Sequence, residues 1–360
     1  MQKMGGKALA DKYQDFHDPN VKVFADGREI AAKEEIYLER AEVVSSVLKE
    51  PDMAVLVYRV YQFSRSSAAE LERYLAVGQK MEVKAGYGTS VMRIFLGYLH
   101  EVQVSGFMQE YVEYTLICLD VKGLMKKNSV FQISGTKKAQ QILNDIMGTG
   151  CYGGMVETKE VAPLPESLNQ DCVIKGETHY DWLCSLAEYL DYEFFCGRGK
   201  LVFRTARKKD GEVLELTGEY GLQAVCSIVT MTGQTGNIQV YGYNRKDEKL
   251  RGAAGWPGIP GPFGEKLKQT LQNCTLSFWD MGLETGQQAS LRAKAVMGNA
   301  VGKCTRMEAV HIGIPEFQPG ICVKITAENM KSLSGTIYAE EVQHLLDGKG
   351  YTTVIRGARV

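Results

Sequence analysis

From Val21 to about Asp120 apolar and polar residues alternate one for one, and the same alternation returns between Gly211 and the C-terminus. Period two sends successive side chains to opposite faces of a strand, so such a chain has to build sheets with one packed face and one wet face. The clearest early strands are Val55–Tyr61, Lys80–Ala85, Arg93–His100 and Tyr111–Cys118. The late ones are Asn237–Tyr243, Gly320–Thr326, Gly335–His344 and Tyr351–Arg356. A helix interrupts the first half, with Ser66 and Ser67 as caps, Leu71, Tyr74 and Leu75 on one face, and Gly78 as a stop.

Between about 134 and 205 the period becomes helical. Ala139, Ile142, Leu143, Ile146 and Met147 form one apolar stripe, with Thr136 as N-cap and Gly148 as stop. A second helix starts after Thr178, carries Asp181 in its first turn and buries Trp182, Leu186, Ala187 and Leu190. A hairpin follows: Tyr192–Cys196, the turn Gly197-Arg198-Gly199, then Lys200–Arg204. In the last part, residues 252–264 are too rich in Gly and Pro for a regular element, and residues 286–300 read as a helix packing Ala289, Ala293, Val296, Met297 and Ala300. The chain therefore divides into an N-terminal extension at 1–20, a β-rich domain at 21–128, an α+β module at 129–210 and a second β-rich domain at 211–360. The like design of the two β-rich parts suggests a distant duplication.

Bulk properties exclude several classes. Forty-two basic against 43 acidic side chains give no general attraction for nucleic acid or anionic membranes. No run reaches the ~20 apolar residues that span a bilayer, and the start lacks a signal peptide's apolar region, so synthesis and folding in a cytoplasm are expected. Nine cysteines stand singly, without a Cys-x-x-Cys pair, and read as free thiols.

Motifs for chemistry fail on context. The glycine spacing at 148–153 imitates a dinucleotide loop, but a helix precedes it where a strand is needed. His179 and Cys184 have the wrong offset for a shared helix face, and the five histidines show no metal-ligand spacing. Glu340 and Glu341 are strand neighbours, which point to opposite faces. The basic pairs 126–127 and 137–138 and the run 207–209 read as solvated charge. No catalytic, cofactor-binding or metal-binding residue is assigned, and no cofactor is expected. The loop around Trp256, Pro257, Pro260 and Phe263 is a candidate partner contact, with a flexible connector as the alternative.

Three stretches in fixed order resemble the phage late control protein D family, hub proteins of contractile tails that include the hub portion of type VI secretion spike proteins. The first runs from Val77 to Gly88 and on through Ile94–Leu99, and carries Gly78, Gly86 and Gly97. The second is Gly176–Leu190 leading into Phe194–Phe203, and carries Trp182, Leu186, Phe195, Gly199 and Phe203. The third comprises Pro319–Ile325, Tyr338–His344 and Gly350–Arg356, and carries Pro319, Gly320, His344 and Gly350. Trp182 stands where the family more often has Phe, and Tyr351 where a second Gly is common.

This resemblance implies a mainly β fold with an α+β insert, two tube-like β-barrel domains flanking the small module. It further implies a structural baseplate hub, not an enzyme, from a phage tail, tailocin or extracellular injection system. Three copies would present six barrels in a pseudo-sixfold ring, a symmetry adaptor between a hexameric tail tube and a trimeric spike. The implied partners are the tube or tube-initiator protein above, a separate spike below, and wedge and LysM-type baseplate proteins around, with DNA or protein cargo passing the channel without specific binding. A separate spike is expected because the chain closes on Val360 straight after its last strand. The competing expectation is a tail-associated carbohydrate-binding or cell-wall-processing protein, with Trp182, Trp256 and Trp279 as stacking platforms.

Overall fold

The structure is a computed structural model. It describes residues 4–30, 35–48, 50–61, 65–107, 110–130, 133–148, 152, 154–168, 171–173, 176–208, 212–244, 246, 248–259, 263–327 and 330–360.

The first part contains β1 (Met4–Gly5), α1 (Gly6–Lys12), β2 (Pro19–Ala25), β3 (Arg28–Glu29), β4 (Ile36–Ser46) and β5 (Met53–Tyr61). It continues through α2 (Arg65–Glu72), β6 (Lys80–Tyr87), β7 (Ser90–Phe107), β8 (Tyr111–Leu119) and α3 (Val121–Met125). Each alternating segment of the sequence is a strand here, and β5 and β8 bury every second residue, as a half-wet sheet requires. The N-terminal segment is not a loose extension. Leu9 and Tyr13 are buried in the main core, and β1 pairs in parallel with a strand more than 200 residues away, Met4 opposite Leu214.

The middle part holds β9 (Ile133–Lys138), α4 (Ala139–Gly148), β10 (Thr158–Val161), β11 (Asp171–Val173), α5 (His179–Leu190), β12 (Tyr192–Gly197) and β13 (Lys200–Thr205). Helix α4 starts at Ala139, later than expected, because β9 pairs with β11 up to Lys138 opposite Asp171. The Ser66 and Thr136 side chains, read as caps, lie outside the described residues, as do Thr149–Cys151, Gly153, Lys209 and Pro260. The Ser67 hydroxyl donates to Glu35 at 2.5 Å. On α5 the reading holds, with Thr178 Oγ1 accepting the Asp181 N–H at 3.0 Å. The module packs Ile142, Leu143 and Ile146 against Trp182, Leu183 and Phe203, joined by Tyr98, Val121 and Met125 from the preceding part.

The last part comprises β14 (Glu212–Thr217), β15 (Leu222–Val229), β16 (Asn237–Tyr243), β17 (Lys249–Gly255), α6 (Gly264–Leu271) and β18 (Thr275–Trp279). After these come α7 (Gly286–Gly302), β19 (Thr305–Ile312), β20 (Cys322–Thr326), β21 (Gly335–Asp347) and β22 (Gly350–Arg359). Two readings are corrected. Residues 252–264 are not one irregular loop, since β17 runs to Gly255 and α6 begins at Gly264. A Cβ at Gly252 would sit 2.1 Å from the Ala289 carbonyl, so this glycine serves close sheet-to-helix approach. Nor is Asn237–Tyr243 part of the main sheet. It is the centre of a separate sheet ordered β17-β16-β18, covered by α7 around Ile238, Val240, Ala289 and Ala293. Alternation identifies a strand but not its partner, so this subdomain was not visible in the pattern.

The mainly β class with a helical insert is as expected. The two β-rich halves are joined more closely than the pattern alone indicates. A 14-stranded sheet runs β1-β14-β20-β21-β4-β5-β8-β7-β6-β2-β3, with β22, β19 and β15 branching from β21. The junction is the antiparallel pair β4 and β21, Ala41–Ser46 opposite Glu341–Leu346. One core serves both sides, Leu56, Val83 and Leu116 meeting Val323, Val342 and Ile355.

Candidate functional site

The sequence motifs converge where the β12–β13 hairpin of the module seats on the last third of the chain. The two-residue turn sets the hairpin register, which places Glu193 opposite Arg204. Arg204 Nε donates to Glu193 Oε1 at 2.7 Å, and its Nη2 donates to the Gly320 carbonyl at 2.8 Å. The Tyr338 hydroxyl of β21 donates to the same carboxylate at 2.5 Å. Burial pushes the Glu193 carboxyl above its usual range, against the pull of Tyr338 and Arg204, and Glu193 in turn helps raise the Tyr338 hydroxyl.

Gly320 has φ +84, and a Cβ there would lie 2.7 Å from Phe195 Cζ and 2.9 Å from Arg204 Nη2. Only glycine meets both demands, left-handed backbone and close contact. At the hairpin tip Arg198 donates to the carbonyls of Pro315 and Phe317, the latter at 2.7 Å. The Phe317 carbonyl also meets His344 Nε2 at 3.1 Å, while His344 Nδ1 lies 2.8 Å from the Tyr351 hydroxyl. Since a carbonyl can only accept, the proton is assigned to Nε2 and Nδ1 accepts from Tyr351. Burial, helped by the nearby Arg198 charge, drops the His344 pKa to about 3.

Phe195, Gly199, Pro319, Gly320 and His344 therefore gather around two arginines that the motif reading passed over. Trp182, Phe203 and the half-buried Leu186 lie in the module core instead. Gly86 and Gly97 sit in close backbone contacts of β6 and β7, and Gly78 and Gly350 in turns with positive φ.

A second buried centre anchors the β4–β5 turn. Lys122 on α3 has no exposed surface, and its Nζ donates to Asp52 Oδ1 at 2.8 Å, the Glu50 carbonyl at 2.9 Å and the Ser46 carbonyl at 3.2 Å. Asp120 Oδ2 lies 3.7 Å away. Burial raises both carboxyls, and its effect exceeds the opposing pull of the lysine. The sequence signal is slight, a lysine two residues after Asp120 and close to the more conspicuous Lys126-Lys127 pair.

These groups hold elements together and leave little for chemistry. His179 Nδ1 meets the Tyr152 hydroxyl at 2.5 Å. Burial pushes the Cys118 thiol up to about 12. Among the described residues no cluster of three or more His, Cys, Asp or Glu could hold a metal. Near the loop, Trp256 is half-buried, its backbone N–H donating to the Gly236 carbonyl at 2.8 Å and its Nε1 to Gln234 at 3.3 Å. Pro257 and Phe263 are exposed.

No protein-family model and no curated protein matches the chain. Solved structures do. A tail protein from Neisseria meningitidis superposes with a TM-score of 0.71 at 14% identity, covering 95% of this chain and 97% of that one. The 43 kDa tail protein of prophage MuSo2 from Shewanella oneidensis gives 0.68 at 17% identity, covering 95% and 98%. An Escherichia coli component of the type VI secretion system, described as structurally similar to T4 tail proteins gp27 and gp5, gives 0.59 at 8% identity, covering 94% and 77%. At these identities the likeness speaks for the fold. Over nearly its whole length, the chain has the fold of phage tail proteins and of a type VI secretion component, the fold that its resemblance to late control protein D implied.

Proposed function

We propose that the chain is the structural baseplate hub of a contractile phage tail, a tailocin or an extracellular injection system. The observation that carries this reading is the match with two tail proteins over 95% of this chain and 97% and 98% of theirs. The edge-to-edge union of two β-rich halves supports it further. Three copies would place six such halves around an axis, matching a hexameric tube above while offering threefold symmetry to a separate spike below. Tube or tube-initiator protein, spike, and wedge or LysM-type proteins are its proposed partners. DNA or protein cargo would pass through the ring without specific binding. The protein would be made in the bacterial cytoplasm and built into the particle. No helix among the described residues is long and apolar enough to cross a membrane.

Electron microscopy of the purified protein, alone and with tube and spike proteins, tests the proposal. Rings of threefold symmetry that co-purify with tube or spike are expected. A particle that stays monomeric at every concentration and binds neither would overturn it.

The carbohydrate-binding alternative loses most of its platform. Trp182 is 8% exposed and Trp256 is half-buried in its own subdomain. Only Trp279, 53% exposed and stacked on Tyr243 at 5.4 Å, offers a ring. Clearing of a cell-wall suspension by the purified chain would restore that reading.

A further inference from the structure

Among the described residues, two long and nearly uncharged strand edges of the large sheet stay unpaired. Strand β15 ends a branch of the sheet, with β19 as its neighbour on one side and none on the other among the described residues. Strand β7 is paired by β6 only from Ser90 to Tyr98, and Leu99 is covered by the Gly78–Gln79 backbone. Beyond that point, among the described residues, Glu101–Phe107 pairs with β8 alone, as an arm with one open edge.

An open edge is a template for another strand, and monomeric proteins blunt theirs with charge, proline or brevity. The far end of this sheet obeys that rule: β3 is two residues long, Arg28 and Glu29. The two open edges do not. From Leu222 to Thr232 there is no charged residue and no proline, and β15 buries no residue on either face. Ile228 is 54% exposed. The β7 arm carries one charge, Glu101, and its Val104 is 57% exposed. The lengths match as well, seven residues on the arm and eight on β15.

We propose that β15 of one copy adds to the open edge of the β7 arm of the next, making the sheet continuous from copy to copy. The occupant is a second copy of this chain, because each edge is the complement the other lacks: both offer a row of backbone N–H and C=O groups, and between them they bring a single charge, Glu101 at the very start of the arm. The contact joins two different surfaces, so it propagates around a ring instead of closing a twofold dimer. The inference rests on the ring reading for the number of copies, but it fixes which strands meet.

Thiol labelling and oligomer mass together test it. Cys226 on β15 and Cys274 before β18 are both exposed in the single chain. In the assembled wild type, labelling read site by site by mass spectrometry should be lost at Cys226 and retained at Cys274. Ile228→Lys and Val104→Lys should each abolish the ring. Mixed together they should give a heterodimer, since each keeps the edge the other has lost. A wild type that forms trimers while Cys226 labels as readily as Cys274 would overturn the strand pairing and leave the ring standing. Trimers from Val104→Lys would do the same. A wild type that remains a monomer throughout would remove the ring reading itself, and this inference with it.

Discussion

Arg198 reaches the Phe317 carbonyl at 2.7 Å across a separation of 119 residues, so the tip of the module's hairpin is bonded to the loop that leads into β20. The same guanidinium binds the Pro315 carbonyl. Replacing it with alanine leaves two carbonyls without their charged donor. Hydrogen bonds to charged groups contribute roughly 1.5–3 kcal/mol each and are not additive, so Arg198→Ala should lower stability by about 2–4 kcal/mol. Urea unfolding should show a lower midpoint at unchanged slope. Arg198→Lys should recover only part of the loss, because an ammonium lacks the planar fork that serves two acceptors. Equal stability of the alanine variant would mean the hairpin is seated by packing alone.

Lys122 gives a sharper case, because its removal strands two acids. With Lys122→Met, Asp52 and Asp120 share a buried site without a cation, and breaking such a centre typically costs about 3–5 kcal/mol. The sign of the pH dependence follows from burial, which already raises both carboxyls. An acid whose folded pKa lies above its unfolded value binds more protons when folded, so relative stability grows as pH falls through that window. The deficit of Lys122→Met should therefore shrink between pH 7 and pH 5, as read from paired thermal melts. A deficit that is constant with pH would show that the acids are not left charged.

Gly320 and Gly348 form a matched pair of tests. Alanine at Gly320 would meet Phe195 and Arg204 at a backbone φ of +84, and a strained backbone of this kind costs on the order of 1–3 kcal/mol. At Gly348 no atom lies within 4 Å of the added methyl, and surface changes of that kind stay within about 0.5 kcal/mol. Thermal unfolding of Gly320→Ala and Gly348→Ala measures both. Equal melting temperatures would remove the packing argument for Gly320.

The contrast between those two glycines also shows what a sequence can disclose. Alternation in Val55–Tyr61 and Tyr111–Cys118 sufficed to find β5 and β8, because each strand needs only its own two faces to be recognised. Thr178 was legible as a cap for the same reason, its partner lying three residues away. The union of β4 with β21 was not legible, since nothing in Ala41–Ser46 names a partner some 300 residues on. Arg198 was hidden because its acceptors are backbone carbonyls, which carry no sequence signal, and Arg204 because two of its partners, Gly320 and Tyr338, lie more than 100 residues away. His344 was marked as a motif residue, yet its role depends on Phe317 and Tyr351, which only the fold brings to it.

His344 sets the acid limit of this assembly of parts. Its ring is buried against Phe317, Tyr351 and Thr353 beside the Arg198 cation, and its pKa is held down at about 3, against an ordinary value near 6.5. A histidine that is neutral when folded and protonated when unfolded costs stability as pH falls below its unfolded pKa, by up to about 1.4 kcal/mol per unit. The raised carboxyls Asp52, Asp120, Glu193 and Glu340 work in the opposite direction over the same range. Comparison with His344→Gln cancels their contribution, because the amide can still donate to the Phe317 carbonyl and does not titrate. Between pH 6.5 and pH 4.5 the wild type should lose about 2–3 kcal/mol relative to His344→Gln, measured as the difference between their unfolding free energies. Parallel profiles across that range would mean that the imidazole is already charged in the folded chain, with Nδ1 donating to the Tyr351 hydroxyl instead of accepting from it.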